Sequence, residues 1–281
     1  AWDTDQVLET SGELGQAQLH YAGALVQQMD PALHRACHDP FGAQALVFAI
    51  LLSDEDALFA RQLEQMEGHY PSELLREIDL LHPKVAAMDP RSKLPAVDLA
   101  IPSLRQLSPS QFETFSDTLR WLVESDQQIS LFEYALQKVL ERHLKSHFVG
   151  ERRRAHAYYS LIPLRSQCQI LISGFAHIGH EETEAIHHAF RQGAACLKEL
   201  GEKLELLPYE DCRLGEMDQA IEQLSLAIPQ LRHQVVEGLA HTVGSDGEFT
   251  LQEAELLRAF ADALECPIPP FVTDVTDPGN P

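Results

Sequence analysis

The sequence predicts an all-α fold, a multi-helix array of α-hairpins, from three observations. Apolar residues recur at three- and four-residue spacings in stretches such as "LFARQLEQM" (Leu58–Met66) and "AIEQLSLAI" (Ala220–Ile228), the period of an amphipathic helix. No alternating Val/Ile/Thr run bounded by turn residues signals a strand. Prolines stand where helices would start, at Pro31, Pro40, Pro71, Pro109 and Pro229, because a helix accommodates proline best in its first turn. We expect about a dozen helices of roughly 10–18 residues joined by short loops.

In chain order, residues 1–93 read as N-terminal helical hairpins, containing the longest apolar run, "ALVFAILL" (Ala45–Leu52). Residues 94–147 read as a first repeated helical unit, 148–210 as connecting helices and 211–266 as a second unit. The tail, "PIPPFVTDVTDPGNP" (267–281), holds five prolines and cannot continue a helix.

The repeat is gapless. Shifting Ala100–Leu144 by 120 positions places it on Ala220–Leu264 with twelve identities. They include Leu104/Leu224, Pro109/Pro229, Ser125/Ser245, Asp126/Asp246, Leu131/Leu251 and Glu133/Glu253. Each copy reads as three helices: one ending before the proline, one from the proline to Ser-Asp, one after the turn. Duplication of a helical unit explains the shared register.

Bulk properties narrow the function classes. The chain has 281 residues, 44% hydrophobic and 23% charged, with a net charge of −22. That is a globular composition, and nucleic acid, which demands a basic face, is excluded as a partner. The apolar run of Ala45–Leu52 is far short of the ~20 residues a membrane span needs. The start, "AWDTDQVLETSGELGQ", is acidic and polar, unlike a signal peptide. It lacks an initiating Met, which leads us to expect a part of a longer protein. The five scattered cysteines, Cys37, Cys168, Cys196, Cys212 and Cys266, form no CxxC pair. We expect reduced, mostly buried thiols, as in the cytoplasm.

The duplicated turns are the first candidate site. Ser130 with Glu133, and Thr250 with Glu253, fit the capping box, in which a hydroxyl accepts from the N–H three residues on and the Glu reaches back. Asp126 and Asp246 fit as turn residues, and Gly247 permits positive φ. The other reading is a divalent metal held by Asp246 and Glu253, or more weakly supported by Asp126 and Glu133. A hard cation wants six to eight oxygens, and neither turn visibly supplies them.

Two further stretches carry candidate chemistry. In "HIGHEETEAIHH" (His177–His188), His180-Glu181 is followed by Glu184 where the zinc-protease motif needs its second His. His180 and His187 would lie about 10 Å apart along a helix, too far to share one zinc, so this reads as a surface helix. "RHLKSHFVGERRR" (Arg142–Arg154) is a dense basic stretch. It reads as a solvated helix end or as a contact patch of Arg142, Lys145, Arg152, Arg153 and Arg154 for an acidic partner or anionic headgroups. No GxSxG, P-loop or GxGxxG occurs.

"SDGEFTLQEAELLRAFADALECPIPP" (Ser245–Pro270) resembles the end of TerB-like helical modules, with an Asp-Gly turn followed by a helix bearing a Glu. With "HDPFGAQALVFAILL" (His38–Leu52), "LPAVDLAIPSLRQLS" (Leu94–Ser108) and "SLFEYALQKVLERHL" (Ser130–Leu144), the chain resembles the C-terminal region of bacterial membrane-bound zinc metallopeptidases of the HtpX and CAAX-prenyl-protease type. The resemblance spans about Asp30 to Pro270. It implies two TerB-like units and a catalytic H-E-x-x-H helix and membrane spans N-terminal to this region. No catalytic residue therefore carries over, no cofactor is expected in this segment, and zinc is expected only in the catalytic domain.

The resemblance further implies an accessory or interaction domain that recruits substrate, regulates or assembles the protease. Its partner would be another protein or its own protease domain, and the membrane would be met only through the parent's spans. The expected location is the cytoplasmic side of the inner membrane. The alternative is a stand-alone TerB-like metal-responsive sensor or scaffold built on the Asp/Glu turns.

Overall fold

A computed structural model describes residues 29–125, 131–149, 157–200, 203–247 and 250–268. It is all-α: twelve α-helices and no strand occur among the described residues. None of these helices is long and apolar enough to cross a membrane. They fall into two compact units. One comprises the described residues of Leu25–Ala157 together with Leu251–Ala263, and the other those of Tyr158–Thr250 with the segment from Leu264.

The first unit opens with α1 (Pro31–Ala36) and α2 (Pro40–Leu51), each starting on a proline after a capping aspartate. Asp30 accepts from the Ala32 N–H at 2.7 Å, and Asp39 from those of Phe41 and Gly42 at 3.0 and 2.9 Å. These bonds satisfy donors that a helix start leaves unpaired. Every residue from Gly42 to Leu51 is buried, as expected of a helix apolar all round. The run read as the longest apolar stretch is therefore the unit's central helix.

Around α2 pack α4 (Ser72–Ala86), α5 (Pro90–Leu104) and α6 (Pro109–Ser125), with α3 (Asp56–Met66) preceding α4 in the chain. In α4 the buried residues Leu74, Ile78, Leu81 and Val85 follow one helical stripe. Phe48 of α2 lies 5.2 Å from the rings of both Tyr70 and Phe115. The Tyr70 hydroxyl hydrogen-bonds Thr118 Oγ1 at 2.9 Å, so the half-buried ring packs without stranding its polar end. Helix α7 (Leu131–Val149) packs on α5 and α6, with Phe148 stacked on Phe112 at 4.3 Å.

The second unit is built from α8 (Arg165–Gly179), α9 (Thr183–Cys196), α10 (Leu214–Leu224) and α11 (Pro229–Val243). Helix α8 packs on α9, α10 and α11, and α9 on α11. Glycines set two of these approaches. A Cβ on Gly174 would stand 2.9 Å from the Cys212 carbonyl oxygen, and one on Gly193 2.7 Å from that of Gly238. Tyr158 ties down the approach to α11 by accepting from the Ile228 N–H at 3.1 Å.

The helix boundaries follow the sequence repeat. Helices α5 and α10 end at Leu104 and Leu224, and α6 and α11 start at Pro109 and Pro229. Helices α7 and α12 (Leu251–Ala263) start at Leu131 and Leu251. The compact units are nevertheless not the repeats. Helix α12, third of the second copy, lies in the first unit, packed against α7, its counterpart in the first copy. Tyr134 and Phe260 meet across that contact at 5.7 Å between ring centroids.

Charged groups also tie α12 to α7 and to α5. Asp262 of α12 pairs with Arg142 and with His143 of α7, the latter at 3.2 Å. Arg258 of α12 bonds Glu255 at 3.1 Å and reaches Asp98 of α5 at 3.6 Å. Arg258 and Glu255 are both buried, where an ion loses its water and a paired partner must compensate.

Candidate functional site

Asp246, expected as a turn residue, lies in the single 3-10 turn Gly244–Asp246 that closes α11. Gly247 follows at φ +80°, and its N–H donates to the Gly244 carbonyl at 3.0 Å. Glycine is favoured there because a side chain strains the left-handed region. Thr250 immediately precedes α12, and Glu253 lies buried in its first turn. Glu133 occupies the equivalent first turn of α7. A carboxylate there faces the positive end of the helix dipole. Asp246 belongs to the second unit and Glu253 to the first. Asp126 and Ser130 lie outside the described residues.

The basic stretch divides. Arg142 is engaged by Asp262 and Lys145 by Glu141 at 3.3 Å. Arg142 is thus paired within the unit, where a half-buried carboxylate on α12 gains from a nearby cation. Arg152, Arg153 and Arg154 lie outside the described residues.

The stretch His177–His188 is not one helix, as the spacing argument assumed. Helix α8 ends at Gly179, His180 is extended at φ −144°, and α9 starts at Thr183. The histidines separate accordingly. The His177 ring hydrogen-bonds the Leu207 carbonyl at 2.8 Å, and His180 Nε2 bonds Ser245 Oγ at 2.7 Å. His187 and His188 are exposed on α9.

No disulfide joins the five cysteines, and Cys196 is the one that is not buried. Burial pushes the thiols of Cys37 and Cys168 up to about 11 and about 12, keeping them protonated and inert.

Sequence reading missed one cluster of chemistry-bearing side chains. Cys196 ends α9, while Glu237 and His241 stand one turn apart on α11. Their sulfur, carboxylate oxygen and ring nitrogen all lie within 4.8 Å of one another, half-buried. The glycine crossing positions them. Gly193 lies one turn before Cys196, and Gly238 sits between Glu237 and His241, so the backbones approach closely there. Gln234, on the same face of α11, donates from Nε2 to the Cys196 carbonyl at 2.9 Å. The signal in the sequence was the Glu237/His241 spacing of one helical turn. The partner thiol comes from a different helix, which no local motif announces.

No family model, curated protein or solved structure matches this chain.

Proposed function

We propose that this chain is the non-catalytic accessory domain of a membrane-bound zinc metalloendopeptidase of the HtpX and CAAX-prenyl-protease type. It holds a protein partner, or the parent's own protease domain, for substrate recruitment, regulation or assembly. The observation that carries this reading concerns three of the four stretches on which the resemblance rests. His38–Leu52, Leu94–Ser108 and Ser130–Leu144 are far apart in sequence, yet they supply α2, α5 and α7 of one unit. Helix α5 packs against both of the others. Ser103 Oγ donates to the Cys37 carbonyl at 2.7 Å beside the start of α2. Three of the four stretches thus meet in one core, as a shared folding unit requires, whereas unrelated amphipathic helices need not converge; the fourth, Ser245–Pro270, gives its helix α12 to the same unit and has its ends in the other.

On this reading the parent's zinc chemistry lies outside this chain, and no residue here is catalytic. The test uses the intact gene product in membranes, compared with a version lacking residues 30–268. Both should hydrolyse a short unstructured peptide, and only the intact protein should cleave folded or membrane-bound substrates at the full rate. Equal rates on every substrate would remove the accessory role.

A further inference from the structure

We propose that Cys196, Glu237 and His241 form a binding site for a zinc-class divalent transition metal, with a fourth coordination position left for water or an exogenous ligand. This inference stands on the second unit alone and does not depend on the protease reading.

The donor set points to the metal class. A thiol, an imidazole and a carboxylate together suit zinc and its neighbours, whereas calcium and magnesium demand oxygens alone. Three protein donors leave a tetrahedral ion one open position. The charges also balance: a thiolate and a carboxylate neutralise a divalent cation, with a neutral imidazole completing the set. In a chain of net charge −22, cation entry is favoured over anion entry.

The geometry is supported from outside the donors. Tetrahedral zinc places sulfur and nitrogen or oxygen ligands about 3.5 Å apart, given bond lengths of about 2.0–2.3 Å. The three donor atoms already lie within 4.8 Å of one another, little more than that spacing. The backbones beneath them are fixed by the Gly193–Gly238 approach. The Gln234 bond to the Cys196 carbonyl holds the end of α9 against α11. Thr242 Oγ1 donates to the Gly238 carbonyl at 2.8 Å, further ordering this turn of α11.

Without metal the thiol is protonated. Burial, and then the neighbouring Glu237 charge, push Cys196 up to about 11, and its sulfur lies 3.6 Å from the Gln192 carbonyl. On binding, the S–H bond breaks, a sulfur–metal bond forms and the proton passes to solvent, without redox change.

The test is cobalt titration of the reduced, metal-free chain. A thiolate-to-cobalt charge-transfer band should grow to one ion per chain and vanish when zinc is added. Cys196→Ser should abolish the band, and His241→Ala should weaken cobalt binding by about tenfold or more, with far-UV circular dichroism unchanged in both. In the unmutated chain, zinc should slow alkylation of Cys196, read by peptide mass spectrometry. Absence of the band, its survival in Cys196→Ser, or alkylation of Cys196 at the same rate with and without zinc would each overturn the site.

Discussion

Gly193 of α9 and Gly238 of α11 face each other so closely that a Cβ on Gly193 would stand 2.7 Å from the Gly238 carbonyl oxygen and 1.9 Å from Thr242 Oγ1. Thr242 is itself buried and bonded to Gly238, so it has no free direction in which to move. Gly193→Ala should therefore destabilise the chain by about 1–3 kcal/mol through overpacking. Gly215, with nothing within 4 Å of a built Cβ, is the control: Gly215→Ala should be neutral or raise stability by up to about 1 kcal/mol. Chemical denaturation of both variants checks the pair. Equal stabilities would mean that the helices do not cross at these glycines.

Asp262 links α12 to α7 and should give the chain an acid-sensitive contact. Burial alone would raise its carboxyl, but the bond from His143 and the Arg142 charge outweigh that and hold it below the usual carboxylate value. A carboxyl depressed in the folded state stabilises above its unfolded value, near pH 4, and loses that contribution as pH falls through the folded value. Asp262→Asn should cost about 1–3 kcal/mol at neutral pH and flatten the fall of stability below pH 4. A variant whose stability against pH parallels the parent's would exclude Asp262 as the acid-sensitive group.

Phe48 is fully buried at the centre of the first unit, whereas Leu80 on α4 is 63% exposed. Phe48→Ala should cost about 3–5 kcal/mol, and Leu80→Ala should stay within about 0.5 kcal/mol of the parent. Thermal unfolding distinguishes them. A mild effect of Phe48→Ala would argue against α2 as the central helix.

Thr250 separates the capping and metal readings of the turn before α12. As a cap, Thr250→Ala should cost about 0.5–2 kcal/mol in chelator-containing buffer. If the turn instead held a hard cation, calcium or magnesium would raise the parent's melting temperature, and Asp246→Asn would remove that response. The capping account predicts no response to either ion.

Much of the fold was legible because its signals are local. Pro31, Pro40, Pro109 and Pro229 begin helices, and Pro71 caps one, since fixed φ and a missing N–H suit a first turn best; Pro83, Pro95 and Pro102 nonetheless lie inside α4 and α5, so proline alone did not mark every boundary. The partnering of α12 was not legible. Its sequence carries the repeat's pattern, and which apolar face covers Phe260 depends on tertiary contact with Tyr134 rather than on periodicity. The break at His180 did carry a local signal, Gly179 at the end of α8, a common helix stop, but the helical spacing of the histidines drew the reading across it. The Cys196 cluster lay beyond reach because it joins two helices through a glycine crossing, a relation between distant positions.

The proposed function is tested most directly by the coding frame upstream of Ala1, read from the gene and confirmed by mass spectrometry of the native protein. The account predicts apolar membrane spans and an H-E-x-x-H helix preceding this chain, in one polypeptide. A native protein that begins within a few residues of Ala1, with neither feature, would contradict it.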